Sequence, residues 1–145
     1  MKTTIKSAIA TTVLAGVSIL AMPANAHAAA KPCSNQTLRG RYGSTLTGTV
    51  NNLPFAAVNL VTADGDGNIS GSGTIVYDGT VIPSSFTATY TVSADCSGSF
   101  VSSSGTSENI VISRDGRLVQ IIVTALALGP ATVSGSATSL SREAE

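Results

Sequence analysis

The chain has 145 residues, of which 43% are hydrophobic and 11% charged, with eight basic and eight acidic side chains. This length suffices for one domain, and the low, balanced charge excludes a typical nucleic-acid-binding surface and a highly charged disordered chain. Gly, Ser and Thr fill most of the other positions, which favours a compact, β-rich protein over a helical one.

The N-terminus has the pattern of an export signal. Lys2 and Lys6 precede a largely apolar stretch over 8–22, and two overlapping small-x-small cleavage sites follow within 24–28. The apolar stretch is shorter than a membrane span requires. We therefore predict a cleaved secretory signal peptide over 1–28, a secreted or periplasmic location, and no stable membrane insertion after cleavage.

The two cysteines and the single histidine constrain the chemistry of the mature chain. Cys33 and Cys96 have only one possible pairing in an oxidising compartment, so we predict a disulfide between them, with two free thiols as the alternative. His27 lies at or before the cleavage site, which leaves the mature domain without a histidine for a catalytic triad, a zinc ligand or a general base. We predict no catalytic residue, no metal site and no cofactor.

The acidic side chains between 64 and 115 offer little for acid–base catalysis. Nearly all of them fall in predicted turns rather than in apolar surroundings that raise a carboxyl pKa. They are Asp64, Asp66, Asp78, Asp95, Glu108 and Asp115. The segment 64–68 also begins like a calcium-binding loop, but Ile69 stands where that loop needs Gly and Ile75 where it needs Glu. We interpret this segment as a tight hairpin.

Short extended segments separated by turn residues follow one another along the mature chain. In the clearest of them, 86–92, apolar residues alternate with three threonines, which is typical of a half-buried strand. Turn residues such as those of Asp78-Gly79 and Asp115-Gly116 recur every 8 to 15 residues. Seven such turns predict eight strands. We place these at 38–50, 55–63, 67–77, 80–93, 97–103, 108–114, 117–128 and 131–140.

Eight sequential strands with short connections predict an all-β fold. We expect a single domain over 29–145 that forms an eight-stranded antiparallel up-and-down meander closed into a barrel, with a two-sheet β-sandwich as the alternative. A short disordered tail is predicted over 141–145. The chain has no Trp and few other aromatic residues, which disfavours an outer-membrane barrel with aromatic girdles.

One predicted strand is apolar on both of its faces. The segment Leu118 to Leu128 carries Val119, Ile121 and Val123 on one face and Leu118, Ile122 and Leu126 on the other. Such a strand needs cover on both sides. The barrel interior supplies one cover, and a second subunit or the N-terminal segment supplies the other. This strand is therefore the predicted surface for a homo-oligomer.

Four segments occur in a characteristic order: Cys33-Ser-Asn-Gln-Thr-Leu-Arg-Gly-Arg-Tyr-Gly43, Pro54-Phe-Ala-Ala-Val58, Ala63-Asp-Gly-Asp-Gly-Asn68 and Ala88-Thr-Tyr-Thr-Val-Ser-Ala-Asp-Cys-Ser-Gly98. In this order the chain resembles a group of small exported bacterial β-barrel proteins of unassigned function, over most of its mature length. The strand order of that group is similar to calycin-like barrels such as lipocalins and to allene oxide cyclase and dirigent barrels. The resemblance implies the fold alone. No position here matches the acidic residues of cyclase or dirigent pockets.

Five polar side chains share a strand face with apolar ones and are the candidate ligand-binding residues: Tyr42, Asn59, Tyr77, Tyr90 and Gln120. If the barrel is hollow, they orient a small hydrophobic ligand by hydrogen bonds. If it is filled, each tyrosine hydroxyl simply binds a backbone group or water. Our first functional hypothesis is the binding of such a ligand. The alternatives are a cofactor-free cyclase or isomerase with a tyrosine as acid, and a structural or interaction module at the cell surface.

Overall fold

The computed structural model describes residues 30–141, and of Ser141 the backbone only. The predicted signal peptide over 1–28 lies outside these residues, as do residues 142–145 of the predicted tail. Ser141 is the last residue of the final strand rather than part of a tail. In the described part of the chain, no helix is long and apolar enough to cross a membrane.

Between residues 30 and 141 the chain forms one 3₁₀ turn and eight β-strands. The 3₁₀ turn is Asn35–Leu38, and the strands are β1 (Arg39–Val50), β2 (Leu53–Asp64), β3 (Asn68–Tyr77), β4 (Thr80–Val92), β5 (Ser97–Ser102), β6 (Ser107–Ile112), β7 (Leu118–Ala125) and β8 (Ala131–Ser141). Each strand pairs antiparallel with the next, and β8 pairs with β1. The predicted all-β meander and its closure into a barrel are confirmed, and the sandwich alternative is wrong.

The alternation of small polar and apolar residues explains where the strands form. In β4, Phe86, Ala88 and Tyr90 point into the barrel, while the threonines between them are exposed. Every strand end lies within three residues of its predicted position. The largest difference is at β7, which ends at Ala125 because the next residues form the turn to β8, closed by a hydrogen bond from the Gly129 N–H to the Leu126 carbonyl.

The predicted hairpin at Asp64 is confirmed, and its carboxylate closes the turn. Asp64 accepts hydrogen bonds from the Asn68 side-chain amide at 2.7 Å, from the Asn68 N–H at 3.0 Å and from the Asp66 N–H at 2.7 Å. These bonds, the one from the Asn68 side chain first, lower the pKa of Asp64 to about 2. The carboxylate therefore serves its own loop, as an Asx turn does.

One end of the barrel is closed by the segment that precedes β1; we call it the closed end. The Cys33–Cys96 disulfide joins this segment to the turn between β4 and β5, so the predicted pairing is confirmed. Its sequence separation of 63 residues corresponds to a stabilisation of about 4 kcal/mol in the chain-entropy model. The Tyr90 hydroxyl donates to the carbonyls of Asn35 and Leu38, which holds the 3₁₀ turn against the barrel.

The outer face of β7 is not covered by the described chain. Leu118 and Ile122 on this face are 42% and 56% exposed, and Leu128 in the following turn is 50% exposed. Val119 and Val123 of the same strand are buried inside the barrel. The 3₁₀ turn lies against β2 and β4 instead of β7. Self-association through Leu118 to Leu128 stays a prediction.

Candidate functional site

The barrel interior is filled at one end and hollow at the other. Near the closed end, the side chains leave a cavity of only about 60 Å³. At the opposite end, which we call the open end, the strands enclose a cavity of about 460 Å³ that opens between the turns. This open-end cavity has the size of a site for a small ligand, for which about 300 to 1,000 Å³ is typical.

The walls of the open-end cavity are largely apolar. Aromatic and aliphatic side chains from seven different strands and the turn after β7 line it, among them Phe55, Ile75, Phe86, Phe100, Val123 and Val133. Small polar residues of β4, β5 and the turn after β5 border the mouth: Ser84, Ser85, Ser102, Ser104 and Thr106. A cavity with apolar walls and a few polar groups is the usual construction of a small-molecule site.

A glycine of β3 makes room for one of the side chains that line this cavity. Gly73 of β3 is directly opposite Ser84 of β4, and both positions belong to the inner face. A side chain at Gly73 would collide with the Val58 carbonyl and with the side chain of Asn59. The missing side chain at Gly73 therefore gives Asn59 its place inside the barrel.

Glu108 is the most unusual residue of the interior. It lies on the inner face of β6, opposite Phe100 of β5 and Val123 of β7, and is only 8% exposed. Its carboxyl group has no hydrogen bond or ion pair with any residue that the structure describes. Burial raises the pKa of Glu108 to about 7, because no neighbouring charge or donor offsets the loss of hydration.

Asn59 of β2 is the second polar group with an unused binding capacity. It is 8% exposed, and its side-chain amide donates to the Ser44 hydroxyl at 3.5 Å. Its Oδ1 has no hydrogen-bond donor among the described residues. A buried acceptor without a donor costs about 1 to 3 kcal/mol. Asn59 and Glu108 both line the small cavity as well as the open-end cavity, which places them at the floor of the latter.

Of the five predicted ligand-binding residues, Asn59 alone lines the open-end cavity. Tyr42 lines the small cavity, and its hydroxyl donates to the Gly116 carbonyl at 2.9 Å. Tyr90 lines neither cavity. Tyr77 is half-buried at the open end, where its hydroxyl accepts from the Asn51 amide at 3.5 Å.

Gln120 lies on the outer face of β7 and is exposed, so its predicted place inside the barrel is wrong. The apolar neighbours Val119 and Ile121 face inward instead and line the small cavity. Because both faces of this segment are apolar, its hydrophobic pattern does not determine which face points inward. The pairing of Val119 with Ile112 of β6 fixes the orientation.

Glu108 is the site residue that the sequence analysis misses. The sequence predicts acidic residues in turns, where nothing raises their pKa values, and this holds for Asp64, Asp95 and Asp115. Hydrogen bonds lower their pKa values, chiefly from the side chains of Asn68, Ser97 and Ser113, respectively. For Glu108 the prediction is wrong. The sequence feature that indicates its inward position is its spacing. Glu108 lies two residues before Ile110 and four before Ile112, so it shares their inward face.

A wide hollow of about 670 Å³ also lies on the outer surface, between β2, β3, β4 and β5. Two of the polar side chains that line it already have partners within the chain. The Asp64 carboxylate is bound by its own turn, and the buried Ser102 hydroxyl pairs with Ser104 at 2.7 Å. This hollow is therefore a weaker candidate than the barrel interior.

A scan against protein-family models finds no matching family, and searches of curated proteins and of solved structures find no match. The resemblance to small exported barrels and to calycin-like or allene oxide cyclase barrels stays a prediction. A functional proposal for this chain therefore has to rest on the geometry of the barrel interior.

Proposed function

We propose that this protein is an exported barrel that binds a small, largely apolar ligand in its open-end cavity. The observation that carries the proposal is the cavity itself, which has about 460 Å³ of space, apolar walls and one open side. An engineered apolar cavity of about 150 Å³ already binds benzene. The present cavity has room for a molecule of roughly three such rings or for a medium-length alkyl chain.

Export is part of this proposal. It is supported by the leader-like pattern of residues 1–28 and by the Cys33–Cys96 disulfide, which is compatible with an oxidising compartment. Secretion or residence in a periplasm would place the barrel where it can take up or carry an apolar molecule outside the cytoplasm.

The structure gives less support to a catalytic role for a tyrosine. The hydroxyls of Tyr42 and Tyr90 donate to backbone carbonyls at the closed end, away from the open-end cavity. Burial raises the pKa of Tyr90 to about 12, which makes it a poor acid at neutral pH. Ligand binding needs no such proton transfer and is the function that the open-end cavity supports best.

The test is the binding of the neutral fluorophore diphenylhexatriene to the mature, oxidised protein. We expect saturable binding and a weakening of about tenfold or more in Ser84→Trp, because Ser84 is on the inner face at the cavity mouth and the large indole fills that space. Fluorescence anisotropy measures both affinities.

Thr74→Trp is the matched control. Thr74 is an exposed residue of β3 that pairs with Pro83, so its indole lies outside the barrel and the affinity should equal that of the wild type. An absence of saturable binding in the wild type, or equal binding by a folded Ser84→Trp variant, would overturn the proposal.

A further inference from the structure

The floor of the open-end cavity carries two polar side chains whose oxygen atoms receive no hydrogen bond from the described chain. Asn59 Oδ1 lacks a donor, and the Glu108 carboxyl group has no hydrogen bond or ion pair with the described residues. Both side chains are 8% exposed and line the same two cavities. Buried polar groups nearly always have hydrogen-bond partners, so a buried acceptor without a donor and an unpaired acid that line the same cavity indicate a partner that enters it.

The chain itself supplies no cation to this floor. Among the described residues that line the two cavities there is no Lys, Arg or His, and Glu108 is the one carboxylic acid. The nearest acidic and basic pair along the chain, Asp115 and Arg117, is an exposed contact at the opposite, closed end. A buried carboxylate is stabilised by pairing with a positive charge, and for ionised Glu108 none of the described residues that line the cavities supplies one, whereas a cationic ligand would.

We propose, on the basis of the ligand-binding function above, that the cavity selects an apolar primary amine whose ammonium group donates to the Glu108 carboxylate and to Asn59 Oδ1. An ammonium group has three donors and no acceptor, which complements two acceptors and balances the buried charge. The hydrocarbon part of the ligand then lies against the apolar walls formed by Phe55, Phe100 and Val133.

Other head groups match the floor less well. A fatty acid adds a second carboxylate beside Glu108, and two like charges in an apolar cavity repel each other. An alcohol has a single donor, so it satisfies one acceptor and leaves the charge of Glu108 unbalanced. A carbonyl compound accepts one hydrogen bond from a protonated Glu108 but leaves Asn59 Oδ1 without a donor.

The binding of an amine should depend on pH in a defined direction. The amine itself stays cationic below pH 10, as a lysine side chain does, whereas Glu108 of the empty barrel titrates near pH 7. The strand neighbours of Glu108 on β5 and β7 are Phe100 and Val123, which do not ionise. Asn59 of β2, which lines the same cavities, does not ionise either, and Tyr42 is the other titratable side chain that lines them. Acidification protonates Glu108 and therefore weakens amine binding.

The experiment compares three chains of equal length, decylamine, decanol and decanoate, by displacement of diphenylhexatriene at pH 8. We expect decylamine to bind about tenfold more tightly than decanol, with decanoate weakest. Lowering the pH from 8 to 5 should weaken decylamine binding by about tenfold or more and leave decanol unchanged.

The variant Glu108→Gln should lose the preference for decylamine over decanol. Asp78→Asn is the matched control, because it removes an exposed acid from the β3–β4 turn at the open end and should keep the preference. Equal affinities for decylamine and decanol in the wild type would overturn the proposed amine preference but not the proposed binding of apolar ligands. This comparison does not depend on the folding of any variant. If neither diphenylhexatriene nor any of the three chains binds, the proposed function itself is wrong.

Discussion

At the scale of the single residue, Glu108 determines the charge of the cavity floor and how it changes with pH. Its carboxyl group is buried with no partner in the described chain, and the empty barrel therefore holds it in its protonated form at mildly acidic pH. A group whose pKa is higher in the folded state than in the unfolded state stabilises the fold at low pH. That stability is complete below the unfolded value of about 4.5 and is lost as the pH rises through about 7.

We expect the empty protein to lose about 2 to 3 kcal/mol of unfolding free energy between pH 5 and pH 8. Glu108→Gln, which cannot ionise, should remove most of this loss and be more stable than the wild type at pH 8. The carboxyls with lowered pKa values, Asp64, Asp95 and Asp115, titrate below this window. Urea denaturation at the two pH values measures the effect.

Asp78→Asn should behave like the wild type in the same titration, because Asp78 is exposed. A wild-type stability that stays constant from pH 5 to pH 8 would show that Glu108 is hydrated or paired in solution. The account of the cavity floor would then be wrong.

At the scale of the element, the turns of the open end fix the rim of the cavity. The β1–β2 turn consists of Asn51 and Asn52, which have positive φ angles of 51° and 65°. Asn tolerates this left-handed conformation better than most residues do. The Asn51 side-chain amide also donates to the Leu128 carbonyl at 2.8 Å and so joins this turn to the β7–β8 turn.

Asn51→Ala should destabilise the protein by about 1 to 3 kcal/mol. The substitution removes this hydrogen bond, and alanine tolerates the left-handed backbone conformation at this position less well than asparagine does. Asn52→Gly should change the stability by only a few tenths of a kcal/mol, since glycine adopts positive φ at no steric cost. Thermal unfolding compares the two variants. A loss in Asn52→Gly equal to that in Asn51→Ala would contradict the role given to the Asn51 side chain.

The sequence allows the strands to be predicted because each one has either an alternating pattern or a turn signal at both ends. β4 and the Asp78–Gly79 turn are examples. The sequential order of the eight strands follows from the short connections, and closure through the β8–β1 pairing leaves no edge strand exposed. The inward face of β7 was not predictable, because Leu118, Val119, Ile121 and Ile122 are apolar on both faces. Only the pairing with β6 places Val119 inside and Gln120 outside.

At the scale of the whole molecule, the barrel combines a filled closed end with a hollow open end. The strand pattern does not determine whether the interior is filled or hollow, and the structure has both conditions in one barrel. The room for an inward side chain depends on which small residues lie beside it, as Gly73 lies beside Asn59, and hence on register. The candidate site is therefore predicted in part: Asn59 follows from alternation, whereas Glu108 is missed although it lies at the start of the predicted strand 108–114.

The measurement that tests the central claim most directly is a methyl NMR titration of the protein with diphenylhexatriene, whose aromatic rings shift nearby methyl signals. We predict saturable shifts of the Val123 and Val133 methyl groups, which line the open-end cavity. The methyl groups of Val58 and Val111, which are 62% and 59% exposed on the outer face, should not shift. Shifts confined to these outer methyl groups, or no saturable shifts at all, would contradict ligand binding inside the barrel.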